Sequence, residues 1–203
     1  VKNRFGSTDE IGIFEMRKNG LQPVDNPSEI FISQGRRISA GSTIISCMEG
    51  TRALLVEIQA LVARANFGMP ERKVSGVDYN RVSMLLAILE KRIGLKLGGQ
   101  DIFVNIVGGV QIDEPAADLG IAMTIASSFK EKVIPSDIVF VGEVGLGGEV
   151  RSVSQIEIRL KEAQRLGFKR AVIPKDNAKG IGKELGIERI EVCYLSEAVE
   201  IIG

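Results

Sequence analysis

The chain has 203 residues, a length that fits one large domain or two small ones. Hydrophobic residues make up 44% of it and charged residues 26%, a balance typical of globular proteins that excludes a disordered or fibrous chain. Basic and acidic residues number 26 each, so the formal net charge is +0 and any contact with nucleic acid must come from a local basic patch.

The sequence contains no histidine, and this excludes hydrolases that depend on a Ser-His-Asp or Cys-His arrangement. The two cysteines, Cys47 and Cys193, lie in apolar, strand-like surroundings and are too few to hold zinc. We expect two buried free thiols in a reducing cytoplasm. No signal peptide is recognisable and no apolar run approaches the ~18 residues of a membrane span, so the sequence predicts a cytoplasmic protein without membrane contact.

The first 38 residues differ in pattern from the rest. Residues 12–16 and 20–24 predict a hairpin, and residues 35–41 form a basic connector that begins and ends with glycine. We therefore predict a domain boundary after residue 38, with residues 1–38 as a tail and residues 39–203 as the main domain.

Residues 42–47 and 54–62 are rich in branched side chains and predict the first strands of a sheet. Residues 71–78 are predicted to form a polar loop. A helix should follow, because apolar residues recur on one face before a glycine stop: Val82, Leu85, Leu86, Leu89, Ile93 and then Gly94. Residues 101–109 alternate as a strand does.

Residues 113–126 predict a turn followed by a buried helix of small residues. Leu119, Ala122 and Met123 recur at helical spacing. Asp118 stands directly before this run and is predicted to be the helix N-cap.

Residues 137–140 predict a strand, and residues 141–151 a glycine-rich hairpin. Helices are predicted to end at Gly167 and to span residues 197–202, with strands at 171–174 and 190–195. The glycine-rich hairpin lacks the lysine and hydroxyl residue of a phosphate-binding loop. Residues 179–184 fail as well, since Asn177 stands where the first glycine is needed and Glu184 where serine or threonine is needed, so these segments predict no complete ATP site.

Two of these segments resemble the Lon-type serine-lysine protease domain. In that family the catalytic serine lies two residues before the glycine that corresponds to Gly120, which is the position of Asp118. The catalytic lysine follows the glycine-rich hairpin at the position of Glu157. An ionised carboxylate cannot replace either a serine nucleophile or a neutral lysine base, so we predict a degenerate, non-proteolytic domain.

Residues 2–6 read KNRFG, a signature that is similar to that of the bacterial RadA (Sms) family of DNA repair and recombination proteins. The resemblance covers almost the whole chain. It implies the end of a RecA-like ATPase core at residues 1–38, followed at residues 39–203 by a Lon protease-like domain. The implied fold class is α+β or α/β, a ribosomal protein S5 domain 2-like mixed sheet with packed helices, preceded by a short β-hairpin tail.

The resemblance also implies a function for the parent chain: an ATP-dependent hexameric DNA translocase or helicase that acts on single-stranded and branched recombination intermediates beside a RecA-type recombinase. The resemblance implies that the parent chain binds ATP and Mg, and that it binds zinc in an N-terminal motif that is absent from this fragment. No cofactor is expected in the fragment itself. By the same resemblance Lys2 and Arg4 act on the neighbouring subunit's nucleotide and on DNA. The candidate DNA contacts are Arg36, Arg37, Arg72, Lys73 and Arg81.

Two alternatives to this interpretation remain open from the sequence. A peptidase with an unusual active site would use Ser152 or Ser154 beside Glu157, although no base of suitable pKa is apparent near either hydroxyl. A Mg or Ca site would need clustered carboxylates, for which the candidates are Asp113, Glu114, Asp118 and Glu157. The alternative is that these carboxylates belong to turns and helix caps, where acidic residues are common without any metal.

Overall fold

A computed structural model describes residues 14–17, 20–23, 28, 32, 39–65, 68–182 and 185–203. The strands in these residues are β1 (Phe14–Arg17), β2 (Gly20–Pro23), β3 (Ser42–Glu49), β4 (Arg52–Arg64), β5 (Arg72–Ser75), β6 (Gln100–Ile106), β7 (Ile138–Phe140), β8 (Glu143–Val144), β9 (Val150–Arg151), β10 (Arg170–Pro174) and β11 (Glu188–Val192). The helices are α1 (Tyr79–Ile88), α2 (Asp118–Lys130), α3 (Ile156–Arg165), α4 (Lys175–Ala178) and α5 (Leu195–Glu200). A π-helical turn, Leu89–Ile93, extends α1, and a 3₁₀ turn, Pro115–Ala117, leads into α2.

Seven strands form one mixed sheet in the order β11-β10-β7-β3-β4-β6-β5. The four strands from β11 to β3 pair in parallel, β4 is antiparallel to both β3 and β6, and β5 pairs in parallel with β6. Strands β8 and β9 form a separate antiparallel pair, and β1 and β2 form another. The predicted mixed sheet with packed helices is thus confirmed.

Helices cover both faces of the sheet. Because neighbouring strand residues point to opposite faces, Ile45 belongs to the cluster beneath α1, α2 and α5, while Ile44 belongs to the cluster beneath α3. Both clusters are almost fully shielded from water. The result is a three-layer arrangement in which β3, β4 and β7 are the centre of the core.

Most predicted elements are present within a few residues of their expected bounds. The helix that was predicted to stop at Gly94 does so with a left-handed glycine (φ 80°), and Gly167 ends α3 in the same way (φ 81°). The hairpin predicted near the N-terminus is confirmed by β1 and β2. The terminal helix begins earlier than predicted, at Leu195, with Tyr194 at its N-cap.

The polar loop predicted at residues 71–78 was wrong in part, because Arg72–Ser75 form the edge strand β5. This strand pairs with β6 alone and has polar residues at three of its four positions, so its sequence lacks the apolar pattern of a central strand. No helix in the described residues is both long and apolar enough to cross a membrane.

The predicted boundary after residue 38 falls in a stretch that lies outside the described residues. Ser28 and Ile32, on its N-terminal side, are described, and both pack on the domain that follows. The division at residues 38 and 39 therefore stays a prediction.

Candidate functional site

The start of α2 is tightly seated on the sheet. The Leu119 N–H donates to the Gly142 carbonyl (3.0 Å), and the Gly142 N–H donates to the Ala116 carbonyl (2.9 Å). A Cβ added at Gly120 would lie 2.0 Å from Cγ2 of Ile45, so only glycine permits this approach of helix to strand. The small residues predicted here are explained by this close packing.

Asp118 is not the N-cap of α2, and that prediction was wrong. The cap position is Ala117, and Asp118 is the first helical residue. Its carboxylate turns away from the helix end: Oδ2 accepts a hydrogen bond from the Val144 N–H of β8 (3.1 Å).

The main partner of Asp118 is Arg81 of α1. The Arg81 guanidinium binds the carboxylate with two parallel hydrogen bonds, one from Nε to Oδ1 and one from Nη2 to Oδ2 (2.6 Å). Asp78 caps α1 by accepting from the Arg81 N–H at 2.8 Å, so the helix start positions the arginine. The side chains are 26% and 2% exposed, so the pair is largely removed from water.

The pKa of both groups is raised. Burial raises the pKa of Asp118 above its ordinary value, although the hydrogen bonds from Arg81 and Val144 oppose this. The pKa of Arg81 is raised chiefly by its hydrogen bond to Asp118. Removing the arginine would therefore leave a buried carboxylate with one backbone N–H and no compensating charge.

The ion pair lies at the wall of an open cavity of about 310 Å³. Apolar side chains of α1, including Met84 and Ile88, line one part of it, and the glycine-rich hairpin lines another. Glu143, Glu149 and Arg151 supply further charges, and Arg151 lies 3.6 Å from Glu143 in an exposed ion pair. This cavity is the place where the Lon resemblance locates a nucleophile.

Glu157, at the position of the catalytic lysine, is not among the residues that line this cavity. It lies in the first turn of α3, where its Oε1 accepts from the Gly182 N–H (2.9 Å) and its Oε2 lies 4.0 Å from Nζ of Lys161. Ser152 and Ser154 are exposed and do not line the cavity either. The structure therefore does not gather a nucleophile and base from these residues around the cavity.

Sequence reasoning missed a second buried ion pair, between Arg159 of α3 and Glu114. Arg159 Nη2 binds Oε1 of Glu114, while its Nη1 donates to the Ser46 carbonyl (2.8 Å) and its Nε to the Ser154 carbonyl (3.0 Å). The other Glu114 oxygen accepts from the Met48 N–H (2.6 Å). A signal was present, because Arg159 falls three residues after Ile156 on the apolar stripe of α3.

The carboxylates considered for a metal site are paired separately. Glu114 binds Arg159, Asp118 binds Arg81, and Asp113 is exposed beside Gln111. Within the part of the chain that the structure describes, no group of three or more acidic, histidine or cysteine side chains is placed to hold a metal ion. The geometry thus favours ion pairing and turn formation, rather than metal binding, as the role of these carboxylates.

The candidate DNA contacts fall in three settings. Arg72 and Lys73 lie on the edge strand β5, where Lys73 Nζ is 2.7 Å from an oxygen of Glu71 in an exposed pair. Arg81 is held by Asp118, which competes with any phosphate for its guanidinium. Outside the described residues lie Lys2, Arg4, Arg36 and Arg37. A DNA contact at each of these positions stays a prediction.

A family described as subunit ChlI of Mg-chelatase matches residues 59–177. This is more than half of the chain, and it includes the Arg81–Asp118 pair, the cavity and Glu157. The chain belongs to this family. The ChlI match extends from within β4 to within α4, so it contains most of the elements that build the candidate site.

Beyond the ChlI family match, the chain is similar over nearly its whole length to proteins named DNA repair protein RadA. The one from Bacillus subtilis (strain 168) is 56% identical over 199 residues, which are 98% of this chain and 43% of that protein. Those of Listeria monocytogenes and Streptococcus pneumoniae are 54% and 48% identical over 200 residues, again 98% of this chain, and 44% and 48% of the relatives. The resemblance to the RadA family is confirmed.

The chain spans less than half the length of these relatives. The name DNA repair protein RadA describes those full-length proteins.

Proposed function

We propose that this chain is part of a DNA repair and recombination protein, an ATP-dependent hexameric DNA translocase or helicase. RadA-named relatives at 46% to 56% identity support the DNA repair role. In this proposal ATP and Mg bind the parent chain, zinc binds its N-terminal motif, and the protein acts in the cytoplasm on single-stranded and branched DNA beside a RecA-type recombinase. The fragment contributes the scaffold for ring assembly and a surface for DNA.

One observation carries the non-proteolytic part of the proposal: Arg81 binds Asp118 through both carboxylate oxygens. Both oxygens of this carboxylate are occupied by the guanidinium and the side chain is buried, so it is unavailable as a nucleophile. Glu157 is engaged with Gly182 and can supply only a second negative charge. We therefore assign the Lon-like features of residues 39–203 to architecture.

Lys2 and Arg4 are proposed to act on the nucleotide of the neighbouring subunit. They alternate along the KNRFG signature, and two cations in an extended segment project to the same side, as required to grip one phosphate group. Charge supplied across a subunit interface would stabilise the transferring phosphoryl group and so tie hydrolysis to ring assembly.

Substitution of these cations in the full-length parent tests the proposal. Lys2→Ala or Arg4→Ala should lower DNA-dependent ATP turnover strongly, by up to about a thousandfold if the cation stabilises the transferring phosphoryl group as an arginine finger does. Lys179→Ala, which removes an exposed lysine of the main domain, is the control. Normal ATP turnover and DNA movement in both variants would remove this role from the two residues.

The non-proteolytic assignment has its own test. A fluorophosphonate probe, which reacts with activated serines, should leave the purified chain unlabelled. Casein that is incubated with the purified chain should remain intact. Labelling that disappears in Ser152→Ala or Ser154→Ala would instead establish a peptidase with an unusual site.

A further inference from the structure

Ser28 and Ile32 precede the predicted domain boundary, yet both pack on the domain that follows it. The Ile32 N–H donates to the Ser28 carbonyl (3.1 Å), a hydrogen bond between residues four positions apart in the sequence, which brings the two residues close together. Ser28 is 0% exposed. Ile32 is partly buried against the hydrophobic cluster beneath α3.

The buried hydroxyl of Ser28 has a partner for its hydrogen and one for its oxygen. It donates to Oε1 of Glu162 on α3 (2.9 Å) and accepts from the Leu55 N–H of β4 (3.2 Å). A buried hydroxyl loses its hydrogen bonds to water, which costs free energy unless protein groups replace them. These two hydrogen bonds replace them for Ser28.

The Leu55 N–H needs a partner from outside the sheet. Strand β6 pairs with β4 only from Ile58 to Arg64, so the N–H of Leu55 that points away from β3 lies beyond the end of that ladder. The Ser28 hydroxyl provides the acceptor that β6 does not reach. Ser28 thus satisfies one N–H of the central sheet that no neighbouring strand reaches.

Glu162 is held in place for this contact. Its Oε1 also accepts from Nη2 of Arg165 (2.7 Å), and its Oε2 from Nε of the same arginine (2.9 Å). Burial alone would raise the pKa of Glu162, but the hydrogen bonds from Arg165 and Ser28 outweigh it and lower the pKa. The acceptor for Ser28 is therefore an anion with a fixed orientation.

From these contacts we infer that Ser28 and Ile32 form a docking point that fastens the N-terminal segment of the chain to α3 and β4. The partner of this surface is the chain's own segment, bound by one hydroxyl and one aliphatic side chain four positions apart in the sequence. The inference extends the proposed function, on which its significance rests: the docking point would hold the segment that carries Lys2 and Arg4 to the DNA-contacting domain.

Hydrogen exchange of the Leu55 amide reports directly on the docking point, because Ser28 accepts its N–H. In Ser28→Ala the exchange rate of this amide should rise about tenfold, as expected when a buried donor loses its acceptor. Ile32→Ala leaves both hydroxyl hydrogen bonds chemically possible but removes the apolar contact. It should also accelerate exchange at Leu55, by at least about threefold, if the two residues dock as a unit.

Ser39→Ala is the matched control, since Ser39 is an exposed serine on the other side of the predicted boundary. It should leave the Leu55 amide unchanged. Unaltered exchange in Ser28→Ala, or acceleration in Ser28→Ala but not in Ile32→Ala, would overturn the docking point. Neither measurement needs ATP or DNA, so failure here is distinguishable from failure of the proposed activity.

Discussion

Cys47 and Cys193 are chemically different thiols. Cys47 is buried on β3, and burial, with a contribution from the nearby Glu114 carboxylate, raises its pKa to about 12. Cys193 is only half-buried, so the prediction of two buried thiols holds for one of them. The thiolate is the reactive species, so burial and the raised pKa both suppress the reactivity of Cys47, whereas Cys193 is partly accessible to reagents.

Iodoacetamide at pH about 8 should therefore modify Cys193 at least about tenfold faster than Cys47 in the folded chain. In denaturant the two rates should become similar, because both thiols then have the pKa of an exposed cysteine. Mass spectrometry of tryptic peptides gives both rates in one experiment. Equal rates in the folded state would contradict the burial of Cys47.

Asp137 and Arg170 join the starts of two neighbouring parallel strands. Arg170 donates through Nη2 (2.6 Å) and Nε (3.2 Å) to the two carboxylate oxygens, and these hydrogen bonds hold the pKa of Asp137 below its ordinary value. The folded pKa lies below the unfolded one. The stabilisation is thus complete above the unfolded pKa and is lost as the pH falls through the folded pKa.

Asp137→Asn should lower the free energy of unfolding by about 0.2–1 kcal/mol at neutral pH, as for other partly exposed pairs. The difference between the two proteins should shrink as the pH falls through the lowered pKa of the folded carboxylate, because protonation then removes the charge from the native protein as well. Urea unfolding at several pH values measures it. The control Asp176→Asn removes a more exposed carboxylate, 3.9 Å from Lys179, and should have a smaller effect.

At the scale of elements, Arg159 ties α3 to two other parts of the domain. It reaches the Ser46 carbonyl of β3 and the Glu114 carboxylate that precedes α2, and its side chain is 2% exposed. A substitution that removes it leaves one buried carboxylate and two carbonyl groups without this donor. Such uncompensated groups cost more than the intact pair contributes.

Arg159→Ala should therefore lower the free energy of unfolding by about 3–5 kcal/mol. The double variant Arg159→Met with Glu114→Gln should recover part of the loss, since no buried charge remains while the amide oxygen can still accept from Met48. Arg151→Ala, at an exposed pair, serves as the control and should cost much less than Arg159→Ala. A double variant no more stable than Arg159→Ala would show that charge is not the cause.

Elements with strong local signals were predictable from the sequence. The branched residues of β3 and β4 and the glycine stop at Gly94 are such signals, and these elements are present. Strand β5 was missed because only its partner β6, distant in sequence, makes Arg72–Ser75 a strand. Here tertiary pairing overrides a polar local pattern.

The candidate site was predictable in position but not in its bonding. Asp118 was identified as the critical position, yet its partner Arg81 lies 37 residues earlier, and no spacing rule links the two. Arg159 was not singled out from the sequence although it falls on the apolar stripe of α3, because nothing local identifies Glu114, 45 residues away, as its partner. Pairings between distant charges depend on topology, which a single sequence does not supply.

At the scale of the whole molecule, the balance of charge limits how this chain can bind DNA. The formal net charge is +0, so no long-range field draws DNA to it and the affinity must arise from a few local cations. Among the described candidates, Arg72 and Lys73 are on a sheet edge, whereas Arg81 is occupied by Asp118. The edge strand β5 is therefore the first described surface to test.

Binding of the isolated chain to duplex or single-stranded DNA should be weak and should fall steeply as salt rises. If Arg72 contacts a phosphate, Arg72→Ala should reduce the slope of log affinity against log salt by about one and weaken binding to all sequences alike.

Arg81→Ala should leave the slope unchanged, because the Arg81 guanidinium is bound to Asp118, and it should lower the stability of the fold. Fluorescence anisotropy at several salt concentrations, with Lys179→Ala as the control on an exposed lysine after α4, separates these outcomes. An unchanged slope in Arg72→Ala would exclude this arginine from the DNA contact, and a reduced slope in folded Arg81→Ala would show that phosphate displaces the carboxylate.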